Sequence, residues 1–314
     1  MGETGHTRLN MSVSPALCGY VSRTGGGRWS AAVHGALLVA LCLAGAAAGQ
    51  EAGSAPSEKD LSKRRAAWRE LLDRQPAEYK IYLDTEEKTA LSLRKAPVLR
   101  WANYTRFDAL KVRDAATYIW TAQGRPEVVA CAFPIPETET TIRLDFGSLS
   151  RGGLIAERGG QRVWYPKEPG VKFQKVPDSA APANSAVARL QQMKMLAARF
   201  RSTLLQWRED ASDREELRML PQPVYRYEEG KNPDALDGAM FFFVQGTDPE
   251  SLLLLEAVRQ GSGYQWQYAL ARRGSGALLA QYRKETVWQV PVMHSPHNPE
   301  QTRIEFDHRV RVPW

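Results

Sequence analysis

The stretch that decides the fold is Asp237-Gly238-Ala239-Met240-Phe241-Phe242-Phe243-Val244-Gln245-Gly246-Thr247-Asp248-Pro249-Glu250-Ser251-Leu252-Leu253-Leu254-Leu255. It reads as a strand over Ala239–Gln245, then a turn marked by Gly246 and Pro249-Glu250, then a run that is apolar on both faces. Such a run suits a central strand; a short helix started by Pro249 and Glu250 is the alternative. The same order occurs earlier, as Asp114-Ala115-Ala116, an apolar and aromatic run, Gly124, Pro126-Glu127 and an apolar strand. Upstream, Pro97-Val98-Leu99-Arg100-Trp101 matches Pro223-Val224-Tyr225-Arg226-Tyr227. The offset is 126 residues at Pro97/Pro223 and 123 at Asp114/Asp237. Either the chain is a degenerate duplication, or strands and turns reuse the same residue types.

Working outward, each match is preceded by a helical pattern. Leu61, Ala67 or Trp68, Leu71 and Leu72 share one face after Ser57, and Pro76 stops the run. Val187, Leu190, Met193 or Met195, Ala197, Phe200, Leu204 and Trp207 form a second stripe after Asn184 or Ser185, predicting a long helix to about Asp210. Strand patterns fill the rest, with hairpins at Gln123-Gly124-Arg125 and Gly159-Gly160 and a last edge strand over Ile304–Val312. The expected fold class is therefore α+β, with two units, each an amphipathic helix packed on an antiparallel sheet. The units are 58–176 and 186–314, joined by a linker at 177–185.

The first 49 residues read as an address. Arg23 and Arg28 precede an apolar run, Ala31–Ala48, with small residues at its end. That is the pattern of a secretory signal peptide cut near Gly49, with a flexible leader at 50–57. An uncleaved membrane anchor over 31–48 is the alternative, and Met1 or Met11 could start the chain. The expectation is export to the periplasm or extracellular space.

The 314 residues are 43% hydrophobic and 25% charged, an ordinary globular composition. Mean hydropathy is −0.43, too polar for a multi-span membrane protein. The formal charge is +7, from 42 Lys+Arg and 35 Asp+Glu. Losing Arg8, Arg23, Arg28 and Glu3 with the address leaves 39 bases and 34 acids, scattered rather than clustered. No basic-aromatic stripe is present, so no nucleic-acid partner is expected. Cys18 and Cys42 also leave. Cys131 then has no partner for an intramolecular disulfide, and its Val128–Phe133 setting reads as a buried strand.

Candidates for chemistry are few. No G-x-S-x-G elbow, Walker loop or dinucleotide fingerprint occurs, and no cofactor is expected. Two acids facing one cleft would serve glycoside chemistry, and the matched pairs are Asp114 with Asp237 and Glu127 with Glu250. Turn and strand-end roles are the plainer alternative for all four. His294, His297 and His308, with Glu305 and Asp307, are the only metal-ligand candidates. Trp101, Tyr104, Trp120, Trp164, Tyr165, Tyr225, Tyr227, Trp266, Tyr268 and Trp288 could stack on sugars or peptides from a sheet face, or fill a core.

The strings Leu220–Tyr227, Asp237-Gly238-Ala239 and Phe243–Glu250, with Ile119–Glu127 in the first half, resemble an uncharacterised family of secreted proteins from planctomycete-type bacteria. The resemblance implies export and carries no assigned activity, so it assigns no site residue. The leading expectation is a non-catalytic exported protein that binds an envelope component, glycan or peptide, or is structural there. An exported hydrolase with a carboxylate-lined cleft and a metal-binding protein using the C-terminal histidines are the alternatives. Convergence of two of the four acids in one pocket would favour the hydrolase.

Overall fold

The computed structural model describes residues 57–311 except 86–87, 104–112, 136–139, 206–213 and 228–229. The expected signal peptide or anchor at 1–49, the expected leader through residue 56, Tyr104 and Trp207 lie outside the described residues. Helix α1 (Glu58–Arg74) starts where Ser57 Oγ accepts the Asp60 N–H. Pro76 ends it within a 3-10 turn, Gln75–Glu78, that feeds β1 (Tyr79–Leu83). There follow β2 (Ser92–Leu93), β3 (Leu99–Asn103), β4 (Arg113–Ala122), β5 (Arg125–Pro134), β6 (Thr141–Ser148), β7 (Leu154–Arg158), β8 (Gln161–Trp164) and β9 (Gln174–Lys175). After α2 (Ala186–Ala197) come β10 (Phe200–Leu205), β11 (Glu215–Met219), β12 (Tyr225–Arg226), β13 (Ala235–Gln245), β14 (Asp248–Gln260), β15 (Gly263–Arg272), β16 (Ala277–Tyr282), β17 (Glu285–Val290) and β18 (Arg303–Arg309).

Every strand pairing is antiparallel, and the second half repeats the order of the first. β1 pairs β7 and β7 pairs β8, as β10 pairs β16 and β16 pairs β17. β4 carries β2 and β3 on one side and β5 on the other, and β5 pairs β6. β13 likewise carries β11, β12 and β14, and β14 pairs β15. The closing strands are exchanged. β9, at the end of the first half, docks on β15, whereas β18, at the end of the second, docks on β6. Residues 55–314 thus form one compact unit.

The burial pattern explains the sequence of the deciding stretch. Ala239, Phe241, Phe243, Leu253 and Leu255 face a core with Met193, Leu196 and Ala197 of α2. Met240, Phe242, Val244, Leu252 and Leu254 face the other way, onto Ile119 and Val129 of β4 and β5. A strand buried on both faces needs a continuous apolar run rather than alternation. The first-half hairpin does the same, with Tyr118, Trp120, Val128 and Ala130 facing the core beneath Leu72 of α1. Among the described residues no helix is long and apolar enough to cross a membrane.

Two expectations are corrected. The fold is not α+β with two helix-on-sheet units. Strand makes up 51% of the described residues and helix 14%, in three sheets that include a curled half-barrel. The second helix also stops at Ala197 instead of running to Asp210. Phe200, Ser202 and Leu204 are buried while Arg201 is exposed, a period of two. Strand partners on both sides, β11 and β16, override the helical spacing. The predicted stripe shifts accordingly. Val187 and Met195 are exposed, and Arg189 is buried.

Candidate functional site

The hairpins β4–β5 and β13–β14 match residue by residue. Two-residue turns, Gln123-Gly124 and Gly246-Thr247, are closed by the pairs Ala122/Arg125 and Gln245/Asp248. Gln123, Gly124 and Gly246 take positive φ, as tight hairpin turns require. Both hairpins slip register at the same place, between Trp120 and Thr121 and between Phe243 and Val244. Arg125, Pro126 and Glu127 therefore stand where Asp248, Pro249 and Glu250 stand. The match extends to the next strand: Leu149 N–H donates to the Glu127 carbonyl and Arg273 N–H to the Glu250 carbonyl, each at 2.7 Å. Each turn opens a cavity against the opposite half.

The first cavity, about 300 Å³, is lined by Asp84, Arg125, Glu127, Arg151, Asp234 and Glu256 among others. Arg125, Glu127, Arg151 and Glu256 satisfy one another there. Arg125 donates from Nη1 to Glu127 Oε1 at 2.7 Å, from Nε to Glu256 Oε1 at 2.8 Å, and from Nη2 to the Leu149 carbonyl at 3.2 Å. Glu256 also accepts from Arg151 at 2.6 Å, Tyr227 Oη at 2.7 Å and Gln267 at 2.8 Å. Burial alone would raise the Glu256 carboxyl, but Arg125, Tyr227 and Arg151 hold it below its ordinary value. Burial keeps Glu127 raised, against the pull of Arg125.

The second cavity, about 240 Å³, lies at the β13–β14 turn, lined by Phe133, Asp145, Asp248, Glu250, Arg273 and Arg303 among others. Asp248 and Glu250 are half-buried here. Among the described residues neither carboxylate has an ion pair or a side-chain hydrogen bond. Burial and the neighbouring Asp145 push Asp248 up to about 7. Burial and Asp248 push Glu250 up to about 8, with Arg303 opposing. Gly274 admits the Glu250 carboxylate, since a Cβ there would lie 1.7 Å from Oε2.

The arginines of this cavity pair with Asp145 and Glu305 rather than with Asp248 or Glu250. Arg303 Nη2 donates to Asp145 Oδ2 at 2.8 Å and to Glu305 Oε1 at 2.7 Å. Arg273 is fully buried and donates from Nη2 to the Asp145 carbonyl at 2.6 Å. Its guanidinium passes over Gly147, where a Cβ would lie 2.4 Å from Nη1. Arg273 Nε and Nη1 and Asp145 Oδ1 are buried without a hydrogen-bond partner.

The acids picked out by the repeat do not converge as pairs. Glu127 and Glu250 occupy separate cavities. Asp114 and Asp237 clamp the helices to the sheets. Asp114 accepts from Arg69 of α1 at 2.9 Å, and Asp237 from Arg189 of α2 at 2.8 Å and Arg226 at 2.5 Å. The acid that joins Glu250 is Asp248, whose Asp248-Pro249 pair reads in the sequence as a turn. Aligning Arg125-Pro126-Glu127 with Asp248-Pro249-Glu250 exposes it, because the charge reverses at the first position.

The histidines do not come together either. His308 Nδ1 accepts from Arg158 at 2.7 Å and Nε2 lies 2.7 Å from Tyr79 Oη. Burial and Arg158 lower it to about 4, so the ring is neutral. His297 Nδ1 donates to the Glu305 carbonyl at 2.9 Å. Among the described residues no group of three His, Cys, Asp or Glu is placed to hold a metal ion. Cys131 is buried and its thiol raised, chiefly by burial. Trp101, Trp120, Trp164, Tyr225, Tyr227, Trp266 and Tyr268 are buried, filling cores rather than paving an open sheet face.

Compared with protein-family models, curated proteins and solved structures, the chain gives no match.

Proposed function

We propose that this chain is an exported, non-catalytic binding protein, and that its site is the cavity at the β13–β14 turn. The observation that carries this reading is the Asp248–Glu250 pair, two half-buried carboxyl groups that form no ion pair among the described residues. Both groups titrate high because ionising them unpaired in a cavity costs stability, and a ligand that meets the ionised pair recovers it. Export rests on the basic, apolar and small-residue succession over residues 23–49.

The raised Glu250 carboxyl favours a second reading, in which it acts as the general acid of a hydrolase. Two-carboxylate hydrolysis needs environments that push the two groups apart, one kept protonated and one ionised. Here burial raises both, to about 7 and about 8, so the two are not pushed apart into one firmly protonated and one firmly ionised group. Thermal-shift screening of the full chain against glycan fragments, peptides and small cations, beside chromogenic glycoside and ester assays, tests the reading. Expected is a ligand whose stabilisation is lost in Glu250→Gln, without turnover. Turnover abolished by Glu250→Gln would contradict it.

A further inference from the structure

The molecule contains its own template for what the second cavity accepts. Register, turn length and the backbone bond to the following strand place Glu250 where Glu127 stands in the first cavity. There the carboxylate is met by the guanidinium of Arg125, 2.7 Å away. In the second cavity the residue two positions earlier is Asp248, so the cation is missing and a further acid replaces it. We infer that the cavity at the β13–β14 turn binds the guanidinium group of an external ligand, an arginine side chain or a small guanidino compound, on Glu250 and Asp248. This inference rests on the binding reading given above and specifies its ligand.

Two observations beside the acid pair, and the charge balance that the pair creates, fit that ligand. Asp145 lines the same cavity, and its buried Oδ1 accepts no hydrogen bond, with Arg273 Nη2 standing off at 3.4 Å. A guanidinium presents five N–H groups in a planar fork and so can serve several carboxylates at once. Phe133 also lines the cavity, two residues beyond Cys131, just as Glu256 lies two beyond Leu254 in the matching pair of strands. The second contact that Arg125 makes to Glu256 is therefore replaced by an aromatic ring, a surface on which guanidinium planes stack. Finally, the local balance is acidic. Asp145, Asp248, Glu250 and Glu305 face Arg273 and Arg303, while Arg272 is turned onto the carbonyls of Gly274, Ser275 and Gly276.

The test is isothermal titration calorimetry on the full chain, with agmatine and an arginine-containing tripeptide as guanidino probes. Putrescine and the lysine tripeptide are the ammonium counterparts, and magnesium is the metal control. Expected is saturable binding of at least one guanidino probe, about tenfold or more tighter than its ammonium counterpart. Glu250→Gln and Asp248→Asn should each weaken it about tenfold or more. Asp248→Arg, which rebuilds the internal cation of the first cavity, should abolish it while the fold is retained by circular dichroism. Asp234→Asn, on the first cavity, should leave it unchanged. Tighter binding of the tripeptide assigns the site to a peptide arginine, and tighter binding of agmatine to a free guanidino compound. No binding by the folded chain, equal binding of ammonium probes or magnesium, or binding indifferent to Asp248→Arg would overturn the inference. So would a glycan or neutral peptide that alone saturates the site in a Glu250-dependent way, a result that leaves the broader binding reading standing.

Discussion

The two hairpin cavities share a strand pairing and differ in the charge beside the turn, Arg125 against Asp248, and in Glu256 against Phe133. At the β4–β5 turn Arg125 lies between Glu127 and Glu256, and every carboxylate of the network has a donor. At the β13–β14 turn Asp248 holds the matching position, and Glu250 is left without one. Identical pairing thus supports two outcomes, a closed structural cluster and a site open to a cation. The helix clamps repeat the contrast. Arg189 and Asp237 are each under a tenth exposed, whereas Arg69 is about half exposed against Asp114. Pairing geometry fixes where the charges stand, and burial decides what each is worth.

Arg125→Met should break the comparison hardest. It strands Glu127 and Glu256 in the interior and should cost about 3–5 kcal/mol. Urea unfolding measures this, urea being chosen because guanidinium salts would compete for the second cavity. The matching change, Asp248→Asn, should cost less than about 1 kcal/mol, because no partner is lost. Next, Arg189→Met should destabilise by about 3 kcal/mol, and Arg69→Met by less than about 1 kcal/mol. Equal losses in the same urea series would deny that burial separates the two clamps.

The pH dependence sharpens the contrast further. Glu250 is raised to about 8 in the folded chain, so between its unfolded value and pH 8 the folded state holds the proton more tightly. Its contribution to stability is therefore fully present at low pH and is lost as pH rises through 8. Glu250→Gln does not titrate, so its stability relative to the native chain should climb by about 1–3 kcal/mol from pH 5 to pH 9. Melting curves at the two pH values read this directly. The smallest effect belongs to α2. Val187 is 71% exposed, and Val187→Ser should change stability by no more than about 0.5 kcal/mol.

Much of the fold was legible because it rests on short-range rules. Ser57 and Ser185 cap their helices as read, Pro76 ends the first, and the turns at Gly124 and Gly246 join the strands that the apolar runs predict. The matched stretches do lie at corresponding points of a repeated pairing order. What failed was long-range. The exchange of β9 and β18 between the halves pairs residues more than 90 positions apart, and no local pattern encodes it. Phe200–Leu205 was misread because its apolar spacing satisfies both periods, and the strands on either side decide between them. The site was half legible. Glu250 followed from the repeat, but Asp248 was hidden by its neighbour Pro249, which marks a turn. Asp114 and Asp237 looked equally catalytic until Arg69, Arg189 and Arg226 were seen to hold them.

The residue at the start of the second hairpin strand, Arg125 or Asp248, sets whether its carboxylate neighbour is paired. A carbon-13 NMR titration of the Glu250 carboxyl, in the native chain and in Asp248→Arg, tests it most directly. Expected is titration near 8 in the native chain and a fall toward the ordinary carboxylate range once the arginine is supplied. Titration of Glu250 near 4.5 in the native chain, or an unchanged value in Asp248→Arg, would contradict it.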